Sequence, residues 1–169
     1  MRIATGVEGL DTILGGGLPQ ARLYLLEGPP GSGKTTLSLQ FLLEGLRQGE
    51  KCLYITLSET AEELREVANA HGWSLEGLHL FELGSAEGAM GNGRLQSVLH
   101  SWEMELDETV NMIMSRVDSI GPTRVVFDSL SELRLLAQDS LRYRRQILAL
   151  KQFFGPKSAT VILVDDLTS

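Results

Sequence analysis

Apolar positions along the chain fall into two alternating patterns, short continuous runs and longer stretches at helical spacing. RLYLLE, residues 22–27, is bounded by turn formers, as a strand buried on both faces of a parallel sheet would be. From Lys34 to about Gln48 the spacing is helical, with apolar residues almost all round and Gly49 as the stop. KCLYITL, residues 51–57, reads as a second buried strand. Thr60 and Glu63 form a capping-box pair, which opens a helix with Leu64, Val67, Ala68 and His71 on one face until Gly72. LHLFEL, residues 78–83, is a third strand, and the glycine-rich residues 84–93 predict a surface loop. Leu106, Val110, Ile113, Met114 and Val117 mark another amphipathic helix. RVVFD, residues 124–128, is a strand, residues 141–154 a helix ending at Gly155-Pro156, and ATVILVDD, residues 159–166, the last strand. The opening segment through ILGGGLP predicts a loop or tight bend at its three glycines. Strands alternating with helices predict a three-layer α/β/α fold around a mainly parallel sheet. At 169 residues, with no internal repeat or low-complexity linker, the chain suits one domain with a sizeable core.

Composition narrows the picture a little. Hydrophobic content of 43% with 22% charged residues is that of an ordinary soluble globular protein. A net charge of -7 argues against a whole-surface grip on nucleic acid or anionic lipid and leaves room only for a local basic patch. The single cysteine, Cys52, lies in a strand-like run. It cannot form an intrachain disulfide and reads as a buried small hydrophobe of a cytoplasmic protein. MRIATGVEGLDTIL has no long apolar core behind a basic head, so no signal peptide is expected, and no run approaches a membrane span.

Candidate chemistry is concentrated in GPPGSGKT, residues 28–35, which matches the phosphate-loop pattern G-x-x-x-x-G-K-[ST] in full. A strand precedes it and a helix follows, the context that the pattern requires. Glycines let the backbone curl so that several amides point at the phosphates, helped by the helix dipole. Gly28 opens the loop, and Pro29 and Pro30 have no N–H to offer. The cradle therefore falls to the amides of Gly31, Ser32, Gly33, Lys34, Thr35 and Thr36. The pattern predicts that Lys34 reaches the β and γ phosphates and that the Thr35 hydroxyl ligates Mg²⁺.

Hydrolysis needs further groups. Asp128 closes an apolar strand and is the candidate to hold Mg²⁺ through water. Glu59, read as ending the second strand just before the Thr60 cap, is the candidate to orient or deprotonate the attacking water. Asp165 and Asp166, at the tip of the last strand, are candidates to sense the γ-phosphate, or simply solvate a strand end. The histidines show no metal-ligand spacing.

These segments resemble the RecA-like ATPases, and specifically their KaiC-like branch. TGVEGLDTILGGGLP before the loop, LYITLSET after it, HGW at residues 71–73 and VVFDSLSELR carry the resemblance. It runs from Thr5 to Asp166 and is weakest over residues 85–99. It implies a RecA-type core with the final strand between the phosphate-loop strand and the Asp128 strand. It implies ATP rather than GTP, because no N-K-x-D guanine reader is present, and a homo-oligomeric ring. It also brings His71 toward the adenine. KaiC carries paired glutamates where this chain has Ser58-Glu59, so only Glu59 carries over. RecA-like cores continue with further strands, so residues 1–169 are expected to be one domain of this type, truncated after the strand ending at Asp166.

The leading expectation is an ATP-binding, Mg-dependent, slowly hydrolysing signalling ATPase. A serine/threonine autokinase of KaiC type and a recombination module binding single-stranded DNA are the alternatives. The acidic balance and the lack of an aromatic-basic groove count against DNA. Arg142, Arg144 and Arg145 read as a solvated basic helix face, and Trp102 as a packing residue.

Overall fold

A computed structural model describes residues 1–83 and 102–167, the side chains of residues 102–104 excepted. The loop predicted at residues 84–93 and the Trp102 side chain lie outside the described residues. In chain order the elements are β1 (Arg2–Ile3), α1 (Glu8–Ile13), β2 (Leu18–Pro19), β3 (Leu23–Gly28), α2 (Lys34–Arg47), β4 (Cys52–Thr56) and α3 (Ala61–Ala70). They continue with β5 (His79–Glu82), α4 (Trp102–Ile120), β6 (Arg124–Asp128), α5 (Leu130–Ala137), α6 (Ser140–Phe154) and β7 (Thr160–Asp166).

Five strands form a parallel sheet in the order β3-β7-β6-β4-β5. β7 lies between β3 and β6, as the resemblance implied. Side chains alternate across the sheet. Leu53, Ile55, Val125, Phe127, Val161 and Leu163 pack with residues of α4, α5 and α6 on one face. Cys52, Tyr54, Val126, Ile162 and Val164 pack with Leu39, Phe41 and Leu42 of α2 and Leu64 and Ala68 of α3 on the other. Every residue of β4 and β6 is buried, which is why these strands read as unbroken apolar runs. Buried among apolar neighbours, the Cys52 thiol is pushed up to about 12.

Four local readings need correcting. β3 is not buried on both faces: it is an edge strand of the sheet, with Leu25 58% exposed and Glu27 exposed as well. The opening segment is not only turn: β1 and β2 pair antiparallel, Arg2 opposite Pro19 and Ile3 opposite Leu18. Two-residue strands are too short to show a period. Gly17, at φ +124°, closes this pairing, and a Cβ there would stand 1.9 Å from the Ile3 carbonyl oxygen. α5 was not foreseen, because an eight-residue helix beginning directly after a strand offers about two turns of pattern. The spacing predicts His71 on the apolar face of α3, yet it is exposed and stacks on Trp73 with ring centroids 4.5 Å apart.

Arg124 is among the largest fully buried side chains, at 1% exposure. Its guanidinium donates to the Ala4 carbonyl (2.7 Å) and the Phe41 carbonyl (2.8 Å), and pairs with Glu50 at 3.0 Å. Thr123 donates to the same Glu50 carboxylate at 2.8 Å. One cation thus ties the amino end of β6 to α2 and to the β1 segment, and its charge is matched where water is excluded.

Candidate functional site

The register of the sheet brings four segments together at its carboxyl edge. Gly28 lies opposite Asp166, Asp128 opposite Val164 and Thr56 opposite Asp128. The chain leaving β3, β4 and β6 and the tip of β7 therefore converge there, the edge at which open parallel sheets take their ligands.

Gly28 ends β3, where a Cβ would meet the Ser32 hydroxyl at 2.6 Å. The chain then turns through Pro29, Pro30, Gly31 and Ser32, with Gly31 at φ +79° and Gly33, the N-cap of α2, at +97°. These values suit glycine alone. The first-turn amides of α2, those of Lys34, Thr35 and Thr36, have no carbonyl within the helix to meet. They add to the positive end of a 14-residue helix, an arrangement that suits an anion. Lys34 is buried and folds back over the loop. Its Nζ donates to the carbonyls of Gly28 and Pro29, both at 2.8 Å, and pairs with Asp166 at 3.1 Å.

Thr35 donates its hydroxyl to Glu59 at 3.3 Å. Glu59 does not end β4, which stops at Thr56, but stands in the turn beyond it. The Thr56 hydroxyl pins that turn, donating to the Glu59 carbonyl (2.8 Å) and accepting from the Glu59 N–H (3.0 Å). The capping box follows: the Glu63 N–H donates to the Thr60 hydroxyl, and the Thr60 N–H to the Glu63 carboxylate. Asp128 is buried and accepts from the Tyr54 hydroxyl at 2.6 Å.

Charge is unevenly shared here. Burial raises the Glu59 carboxyl above its ordinary value, and the Asp128 charge raises it further. Burial likewise raises Asp128; the Tyr54 hydrogen bond opposes that rise, Asp166 adds to it and Lys34 opposes it. Glu132, in the first turn of α5, is raised by burial and by the charges of Asp166 and Asp128. Several carboxylates thus press on one another around one lysine, an imbalance that a bound cation would relieve. Among the described residues no three His, Cys, Asp or Glu side chains are grouped to hold a metal by themselves. The Thr35 hydroxyl and Asp128 fit Mg²⁺ only if phosphate oxygens and water complete its shell.

Asp165 and Asp166 part company. Successive residues of a strand face opposite ways, so Asp166 turns to Lys34 while Asp165 turns to α5. There Asp165 accepts from Ser131 (2.9 Å) and Arg134 (2.6 Å). His71 is the C-cap of α3, at the end of that helix opposite the Thr60 cap. The Arg face of α6 is as expected for Arg144 and Arg145, which are exposed.

Reading the sequence missed Tyr54, Thr56, Glu132, Ser131 and Arg134. A phenol in the middle of a wholly buried strand needs a hydrogen-bond partner, and that was the signal for Tyr54. For the α5 residues the one local signal was the capping-box spacing of Ser129 and Glu132, on a stretch too short to mark a helix. A cavity of about 580 Å³ lies elsewhere, along the outer side of α2 between Gln40, Leu43, Arg47 and Trp73. It holds none of the predicted residues.

Comparison with known proteins bears on the family and the fold. The family described as "ATPase: KaiC" matches residues 3–169. A UPF0273 protein of Pyrococcus horikoshii is 32% identical over 99% of this chain and 69% of its own length. The circadian clock protein KaiC3 of Synechocystis is 28% identical over 96% of this chain and 32% of its own. The crystal structure of a KaiC-like protein from Pyrococcus horikoshii superposes with a TM-score of 0.79 at 25% identity, covering 99% of this chain and 71% of that one. The α/β/α sheet, the glycine-rich loop after its first strand and the matched residues together make this chain a member of the KaiC ATPase family, within the KaiC-like branch of the RecA-like P-loop NTPases.

Proposed function

We propose that the chain binds Mg-ATP at the carboxyl edge of the sheet and hydrolyses it slowly, as a regulatory or signalling ATPase that assembles into a homo-oligomeric ring. The observation that carries this reading is the meeting of Lys34, Thr35, Glu59, Asp128 and Asp166 around the end of α2, although they come from four separate parts of the chain.

In this reading the amides of Gly31, Ser32, Gly33, Lys34, Thr35 and Thr36 cradle the phosphates, with Gly28, Pro29 and Pro30 shaping the turn. Lys34 leaves the loop carbonyls for the β and γ phosphate oxygens, exchanging weak acceptors for charged ones. Thr35 and Asp128 would hold the magnesium ion, which neutralises phosphate charge when bound. Glu59 orients a water and takes its proton, and its raised carboxyl brings it nearer the working range of a general base at neutral pH. Asp166 is the remaining candidate to respond to the γ-phosphate, because Asp165 faces away from Lys34.

Equilibrium binding of a fluorescent ATP analogue, with single-turnover hydrolysis of ATP, tests the proposal. Lys34→Ala should weaken Mg-ATP binding by roughly 100-fold, the loss of charge-assisted hydrogen bonds worth about 3 kcal/mol. Equal affinity in parent and variant would overturn it.

A further inference from the structure

β7 is longer than the strand beside it. β6 ends at Asp128, opposite Val164, so Asp165 and Asp166 run two residues past their neighbour on that side. On the other side Asp166 still has Gly28 opposite it, and the Leu167 N–H donates to the Gly28 carbonyl at 2.9 Å. An overhanging strand end with one neighbour has unmatched backbone groups and frays.

Here α5 takes the place of the missing strand. The Asp166 N–H donates to the Ser131 hydroxyl at 3.1 Å, and that hydroxyl donates in turn to the Asp165 carboxylate at 2.9 Å. Arg134 closes the arrangement with a 2.6 Å ion pair to the other oxygen of Asp165, which is only 6% exposed. The guanidinium is itself held against α6, with its centre 4.9 Å from the Tyr143 ring and a 3.4 Å hydrogen bond to the Tyr143 hydroxyl. Both oxygens of a buried carboxylate are therefore satisfied by one helix, and the next residue along, Asp166, is the one paired with Lys34.

We propose that Arg134, with Ser131, is a positioning residue of the phosphate site: acting through Asp165, it clamps the tip of β7 to α5 and so sets Asp166 against Lys34. Arg134 touches neither Lys34 nor the glycine-rich loop in this arrangement. Its influence runs through the strand tip. Without it Asp165 is a buried carboxylate with one partner, and the two-residue overhang has lost its outer support.

The inference rests on the ATP reading above for its effect on turnover, and the clamp itself can be tested without nucleotide. Amide hydrogen exchange on the full chain should show Asp166 and Leu167 exchanging on the order of 10-fold faster in Arg134→Ala, the equivalent of one charge-assisted hydrogen bond. Arg134→Lys, which keeps the charge, should recover part of the protection, and exchange in β4 and β6 should be unchanged. Single-turnover hydrolysis should fall about 10-fold in Arg134→Ala, the scale of a small misplacement at a reacting centre, with ATP affinity kept within about threefold. In an Asp166→Asn background the same substitution should change the rate less than about twofold, because the group it positions is gone. Unchanged exchange at Asp166 and Leu167 would overturn the clamp. Loss of protection with parental hydrolysis, or rate effects that multiply in the double variant, would confine Arg134 to a structural role and overturn the proposal. A parent chain that neither binds nor hydrolyses ATP would instead defeat the ATP reading, while the exchange experiment still decides the clamp.

Discussion

Glu59 and Glu132 are both carboxylates raised by burial, but they ask different things of the protein. Glu59 reaches the Thr35 hydroxyl, where the proposed attacking water would be oriented. Glu59→Gln keeps the shape and removes the proton acceptor, so hydrolysis should fall on the order of 10²–10⁴-fold with ATP affinity retained. Rapid-quench measurement of the chemical step checks this, and an unchanged rate would move the role to another carboxylate. Glu132 has no such contact and is raised beyond the effect of burial by its acidic neighbours, Asp166 and Asp128. A carboxyl raised in the folded state binds protons there that the unfolded chain has already released. Its favourable contribution is complete below the unfolded value of about 4 and is lost as pH rises through the folded value. At neutral pH its charge is therefore a cost. Glu132→Gln should raise the thermal midpoint slightly at pH 7, with the gain fading toward pH 4. Thermal melts across that range decide the matter, and a gain that grew on acidification would contradict the charge crowding described here.

Among the elements, α3 has a start that was legible residue by residue. Thr60 and Glu63 stand three apart, and both reciprocal hydrogen bonds form. Thr60→Ala should cost about 1 kcal/mol of stability, readable by urea unfolding as a lower midpoint at unchanged slope. The cap also begins the helix directly after Glu59, so this substitution should slow hydrolysis more than its stability cost alone would. α5 shows the opposite case. Ser129 and Glu132 have the spacing of a capping box, but no side-chain cap forms at Ser129. What holds α5 is Leu130, Leu133 and Ala137 packed into the core, together with Ser131 and Arg134 on the tip of β7. Those contacts come from a strand about thirty residues further on, so no local pattern announces them.

At the scale of the whole molecule, Arg124 joins parts of the chain that no period connects. It satisfies carbonyls at Ala4 and Phe41 and the carboxylate of Glu50 from the first residue of β6. Arg124→Ala should destabilise the protein by about 3–5 kcal/mol, since it breaks a buried charged network and leaves acceptors without donors. Chemical denaturation measures this directly, and a loss below about 1 kcal/mol would mean that water replaces the guanidinium. The expected casualty is the attachment of the β1 segment, which should exchange its amides earlier than β4 does.

What the amino-acid sequence by itself determined was whatever physics makes local. Continuous apolar runs marked β4, β6 and β7, because strands buried on both faces need apolar residues at every position. β3 was found by a similar run, although it lies at the sheet edge with Leu25 exposed. The glycines and the lysine of residues 28–35 marked the loop, because a left-handed turn at Gly31 and Gly33 and a helix start at Lys34 are written in consecutive residues. Asp128 was legible as the carboxylate that closes a strand, and Glu59 as one at or near a strand's end. The tertiary structure alone decided which of them meet. Placing Glu59 on Thr35 needs the register between β4 and β6 and the Thr56 staple. Separating Asp165 from Asp166 needs the order β3-β7-β6, which leaves the tip of β7 overhanging and gives it to α5. Strand order and register follow from the packing of both faces at once, and an energy shared over the whole sheet leaves no signature at any one residue.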